Sequence, residues 1–209
     1  MANASNLIVD PLEARLYALL WRPGAAMHRH WWPALALDAW EPVYETCARS
    51  RRWIEQAIAA RRGVPKASTA LPKLTLLERR VLGLADKLPA LLLALGLLRL
   101  GQPEYWMLKP YIEVLNPHLD AVACSQLAVF AAAVTPPGFK VQVSLVEPEQ
   151  LIEHACPYGA AALTGVFAGS AVLRALEILL APGSFDGEPL LEPAASYGLD
   201  TLFRLARFL

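Results

Sequence analysis

Residues 75–101 read TLLERRVLGLADKLPALLLALGLLRLG, and this stretch decides the fold class. Thr75 and Glu78 have the spacing of a capping box, in which each side chain satisfies a free backbone donor at a helix start. Leu77, Val81, Leu84 and Leu88 then recur every three or four residues, which places them on one buried helical face. Pro89 interrupts or kinks the helix, because proline lacks an N–H and clashes with the preceding turn. The leucine-rich continuation is apolar except for Arg99 and closes at Gly101, with Pro103 beyond it. At about 12 residues it is shorter than the roughly 20 a bilayer requires, so it reads as a buried core helix.

Outward from this stretch, prolines divide the chain into further helical pieces. Asp10-Pro11 opens a first helix with Leu12, Leu16, Leu19 and Leu20 as its stripe, and Pro23-Gly24 ends it. Residues 27–40 hold Trp31, Trp32, Pro33 and Trp40 and predict a turn followed by a helix start. Residues 42–62 repeat Val43, Cys47, Ile54 and Ile58 at helical spacing and stop at Gly63, with a loop over 64–72. Asn116-Pro117 predicts the cap of a helix reaching about Val134, before the break at 135–138.

Residues 139–146, FKVQVSLV, alternate with period two and form the one strand candidate. A short helix follows from Glu147-Pro148-Glu149 to about Ala155. A long one is expected from Tyr158 to Ala181, closed by Pro182-Gly183; then a loop over 184–197 and an amphipathic helix over 200–209. The expectation is one predominantly α-helical domain, a single irregular multi-helix unit over 1–209, with at most a short strand near 139–146.

Composition narrows the function classes. Hydrophobic residues make up 56% of the 209 and charged residues 18%, where about 45–50% and about 25% are usual. The apolar excess must enter a large core, a partner interface or a membrane. Nineteen basic residues balance nineteen acidic ones, which argues against nucleic-acid binding, since that needs a positive field. The local cluster Arg49, Arg51, Arg52, Arg61 and Arg62 has Glu45 and Glu55 among it and reads as a solvated helix face. Three widely spaced cysteines fit a reducing compartment, and residues 1–10 lack the pattern of a signal peptide. Residues 157–173, PYGAAALTGVFAGSAVL, are the best membrane candidate, but Arg174 and Glu177 interrupt them and alanine and glycine insert weakly. Their Gly165 and Gly169 instead predict close approach of another helix.

No catalytic constellation is legible. His28, His30, His118 and His154 offer no convergent metal-ligand spacing with the cysteines. Cys124 with His118, and Cys156 with His154, are neighbours in sequence without a nucleophile elbow. Glu147 with Glu149 and Glu188 with Glu192 sit beside prolines in surface segments. Phosphate-binding glycine motifs are lacking as well. No catalytic residue, metal or cofactor is therefore expected.

Two stretches together resemble the SctK family of type III secretion proteins, accessory components of the cytoplasmic sorting platform. Residues 21–35, WRPGAAMHRHWWPAL, match at Pro23, His28, Trp32 and Pro33. Residues 88–111, LPALLLALGLLRLGQPEYWMLKPY, match at Leu88, Pro89, Leu95, Gly96, Arg99, Gly101 and Pro110. The first half of the chain carries the likeness better than the second, and residues 184–209 carry no motif of it. The resemblance implies a non-enzymatic α-helical adaptor at the cytoplasmic face of the bacterial inner membrane, monomeric in isolation. Its implied partners are the cytoplasmic domain of an SctD-type inner-membrane ring protein and an SctQ-type pod protein, without nucleic acid or a membrane span. Arg22, His28, Trp31 and Trp32 are the candidate contact residues, because indoles and arginines are enriched in binding hot spots. The alternatives are a tightly membrane-associated helical subunit and a small helical enzyme with a Cys/His site.

Overall fold

The computed structural model describes residues 10–65 and 73–209, so most of the loop expected over 64–72 and nearly all of the amino-terminal segment lie outside the described residues. Among the described residues the regular structure is twelve α-helices and three short 3-10 turns, without a strand. Helix α1 (Pro11–Trp21) starts where its cap directs, with the Asp10 carboxylate accepting from the Leu12 amide at 3.0 Å. Two helices follow closely, α2 (Trp31–Ala34) and α3 (Glu41–Thr46), and then α4 (Ala48–Arg61). The helix expected over 42–62 is thus two, broken at Cys47, whose backbone is extended. The break lets Arg51 turn back and donate to the Tyr44 and Glu45 carbonyls at 2.8 and 2.9 Å. These are carbonyls that the end of α3 leaves without helical partners.

The capping box forms at α5 (Leu76–Leu82): the Glu78 amide donates to Thr75 Oγ1 at 3.2 Å, and the Thr75 amide to Glu78 Oε2 at 2.9 Å. Pro89 sits in the first turn of a new helix, α6 (Leu88–Leu100), where its missing N–H costs nothing. Every residue of α6 from Leu91 to Leu100 is buried, as expected of a helix apolar on nearly every side. Its one charge, Arg99, is met by the Phe139 carbonyl, to which its Nε donates at 3.0 Å. Helices α7 (Glu104–Met107), α8 (Lys109–Leu115) and α9 (Ala121–Ala131) follow. Asn116-Pro117 does not cap α9. Asn116 ends α8, and Asp120 supplies the cap by accepting from the Ala123 amide at 2.7 Å.

The strand candidate at 139–146 forms no strand: the Phe139 amide closes a turn onto the Pro136 carbonyl at 3.2 Å, and residues 141–147 follow without regular structure. Its backbone groups are met by α6, α7, α8 and their junctions rather than by a second strand. The Val141 amide donates to the Arg99 carbonyl at 2.9 Å, Gln102 Nε2 to Val143 O at 3.0 Å, and Tyr111 Oη to Val146 O at 2.8 Å. The period-two pattern is real, because Phe139, Val141 and Val143 point toward the core while Lys140 is exposed.

Helix α10 (Leu151–Phe167) runs straight through Pro157, and the break falls later, at Ala168-Gly169, before α11 (Ala171–Glu177). Proline is tolerated here because the carbonyl it orphans belongs to Glu153, an exposed residue. Gly169 takes φ +76°, which ends the helix. The last helix, α12 (Ala194–Leu205), begins inside the stretch that reads as loop.

Helices α6 and α10 form the most extensive pairing, and α12 packs on both. Their backbones nearly touch. A Cβ on Gly96 would lie 1.9 Å from the Ala155 carbonyl oxygen, and one on Gly159 would lie 1.9 Å from that of Leu92. Close approach of α6 and α10 therefore rests on Gly96 and Gly159. Of the expected pair, Gly165 also meets a close neighbour, since its Cβ would lie 2.2 Å from the Leu190 carbonyl oxygen and 3.2 Å from the Ala195 side chain of α12, whereas a Cβ at Gly169 would meet nothing within 4 Å. Helices α1, α4, α5 and α11 make up an adjoining layer.

Candidate protein-binding surface

The tryptophans divide by environment. Trp32 is buried and packs its ring 5.5 Å from that of Tyr44. Trp31 is half-buried: its indole N–H donates to the Leu180 carbonyl at 2.8 Å, and Arg62 stacks 5.7 Å above its ring. The His28 amide donates to the Ile178 carbonyl at 2.9 Å, so His28 and Trp31 together dock this segment onto the end of α11. Burial, with His30 and Arg29 nearby, holds His28 below the ordinary imidazole range. Arg22 is exposed, 5.8 Å over the Tyr17 ring. The structure thus joins His28 and Trp31 at one seam, sets Trp32 in the core and leaves Arg22 in solvent.

Two other indoles face water together. Trp40, 38% exposed, and Trp53, 54% exposed, lie with ring centroids 4.8 Å apart. Exposed Arg49 lies one helical turn before Trp53. A buried carboxylate ties together the elements around the pair. Glu55 accepts from Tyr44 Oη at 2.6 Å and from the Gly24 amide at 3.0 Å, linking α3, α4 and the turn after α1. Burial raises the Glu55 carboxyl despite these two bonds, and burial with the Glu55 contact raises the Tyr44 phenol. Trp40 was visible in the sequence as part of an indole-dense stretch. Trp53 carries one signal in the sequence, its offset from the Ile54 and Ile58 stripe.

Among the described residues no hydrogen bond joins Cys124 to His118 or Cys156 to His154. Burial pushes the Cys156 thiol up to about 12, and burial also raises Cys124. His118 is exposed, and the His154 ring packs 5.3 Å from that of Tyr158. No group of three or more potential metal ligands occurs among the described residues. A cleft of about 700 Å³ lies between α10 and residues 187–192, with Glu153, His154, Glu188 and Glu192 among the residues that line it. No helix among the described residues is long and apolar enough to cross a membrane.

The exposed indole pair thus stands on an all-helical core. Residues 14–182 match the family described as type III secretion system subunit. The chain belongs to that family. The match agrees with the SctK resemblance and encloses both indoles, the Glu55 network and α6 to α11. It stops short of α12, which completes the core of this secretion subunit. No curated protein and no solved structure matches the chain.

Proposed function

We propose that this type III secretion subunit is a non-enzymatic adaptor of the cytoplasmic sorting platform. It would link an SctQ-type pod protein to the cytoplasmic domain of an SctD-type ring protein at the inner face of the bacterial inner membrane. The observation that carries the reading is the exposed Trp40–Trp53 pair inside the family-matched residues. Two indoles in water lose apolar hydration free energy until a partner covers them, and tryptophan and arginine dominate binding hot spots. Arg22 belongs to this contact surface. His28, Trp31 and Trp32 support it by fixing the segment that leads to Trp40. One cluster of buried residues running from Leu16 to Leu205 supports a single domain.

The test is binding of the full chain to the purified ring-protein domain and to the purified pod protein by calorimetry. Wild type is expected to bind both. Trp40→Ala with Trp53→Ala is expected to weaken one of them by roughly 30-fold or more, the size of a hot-spot loss of about 2 kcal/mol. The melting temperature should stay near wild type, because both rings are solvent-exposed. Loss of neither interaction would remove the indoles from the reading, and binding of neither partner by wild type would remove the adaptor function.

A further inference from the structure

From Ala121 to Phe139 the chain carries no charged residue. Helix α9 buries Ala123, Cys124, Leu127 and Phe130, yet its opposite face is also uncharged. Val122 is 62% exposed and Val129 is 67% exposed there, and Phe208, 52% exposed, lies beside Val129. A helix that meets only water normally carries charge on its outer face. Ala121, Ser125, Ala128 and Ala132, all exposed, run along this face with small side chains.

At its carboxyl-terminal end α9 meets the end of α12 and forms a groove of about 200 Å³, lined by Gln126, Val129, Phe130, Arg204, Arg207 and Phe208. Phe208 stands edge-on to Phe130 at 6.0 Å, and Arg204 is held 4.9 Å above the Phe130 ring. Neither Arg204 nor Arg207 forms an ion pair among the described residues. The groove thus joins an apolar floor to two cations that carry no protein countercharge.

We infer that the α9–α12 groove is the docking site for an acidic amphipathic helix of a partner protein. The small outer side chains of α9 allow a second helix to approach at the near end of the usual 8–10 Å range. One large apolar side chain of that helix fills the space beside Phe130 and Phe208. Carboxylates on its flank meet Arg204 and Arg207, so charge selects the partner and sets its register. A second copy packed groove to groove about a two-fold axis would bring four arginines together without a countercharge. An anionic membrane surface fits less well, because the site is concave and offers two cations where lipid-binding clusters carry about four to eight.

The inference rests on the adaptor reading, and the test separates them. The full chain, with a benzophenone amino acid at Val129, is irradiated with the purified ring-protein domain and with the purified pod protein. Phosphatidylserine vesicles are tested in parallel by sedimentation. The expected result is a cross-link to one carboxylate-bearing helical segment of one partner. Arg204→Glu with Arg207→Glu should weaken that partner roughly tenfold or more, and exchanging the segment's carboxylates for lysine should restore binding. Val129→Glu gives a second variant at a solvent-facing position, and circular dichroism melts establish that both variants fold. Two bound partners without a cross-link from Val129 would overturn the groove and leave the adaptor standing. A cross-link to a second copy, or vesicle binding lost with the two arginines, would overturn it as well. Binding of neither protein would overturn both readings.

Discussion

Cys47 and His28 show how local bonding sets chemistry one side chain at a time. The Ser50 hydroxyl donates to the Cys47 sulfur at 3.2 Å, and this bond, with backbone amides at the start of α4, lowers the Cys47 thiol. Alkylation at pH 8 followed by peptide mass mapping should find Cys47 modified first and Cys156 last, since burial holds Cys156 near 12. Ser50→Ala should slow Cys47 several-fold and leave the other two unchanged. His28 makes the opposite use of burial. Its pKa is lower folded than unfolded, so the unfolded chain binds more protons between the two values. Its contribution is complete above about 6.5 and is lost as pH falls through the lowered value. Urea unfolding should show wild type losing more stability than His28→Gln between pH 7 and pH 5.

At the scale of the element, the pairing of α6 with α10 depends on two glycines that no periodicity marks. Gly159→Ala would drive a methyl group into the Leu92 carbonyl and part the helices, at a cost of about 3 kcal/mol. Gly169→Ala meets no neighbour and carries only the left-handed backbone penalty, about 1 kcal/mol. Denaturant titration of the two variants should rank them in that order, and the reverse order would show that α6 and α10 do not depend on close approach at Gly159. The wrongly placed breaks in the sequence reading have the same origin. Pro157 looked like a boundary because proline removes a helical bond, but the orphaned carbonyl there belongs to an exposed residue. Cys47 carried no breaking signal at all, because Arg51 satisfies the exposed end of α3 from the following helix.

For the whole molecule, residues 184–209 are structural although the family match ends at residue 182. Leu190, Leu199, Leu202 and Leu205 are all buried against α6 and α10 or their neighbours. Burying one leucine is worth roughly 1.5–3 kcal/mol, so four of them rival a total stability of about 5–15 kcal/mol. A chain ending at Pro182 should therefore lose its cooperative thermal transition, as followed by circular dichroism at 222 nm. A retained transition near the wild-type temperature would show that α12 is an appendage.

The sequence alone determined the helical class, the capped start of α5, the burial of α6 and the near balance of charge. Each depends on residues adjacent in the chain or on totals, so local spacing carries the information. The SctK resemblance likewise sat in two short stretches. Tertiary structure alone decided which indoles face water. Trp31, Trp32, Trp40 and Trp53 are one residue type in one region, and their burial follows from where α11, Tyr44 and α4 come to lie. It also decided that 139–146 lies unpaired across α6 to α8, because a period of two records one buried side without saying what covers it. The α9–α12 groove needed it most, since Phe130 and Arg204 are distant in sequence and only the closing of α12 over the core brings them together.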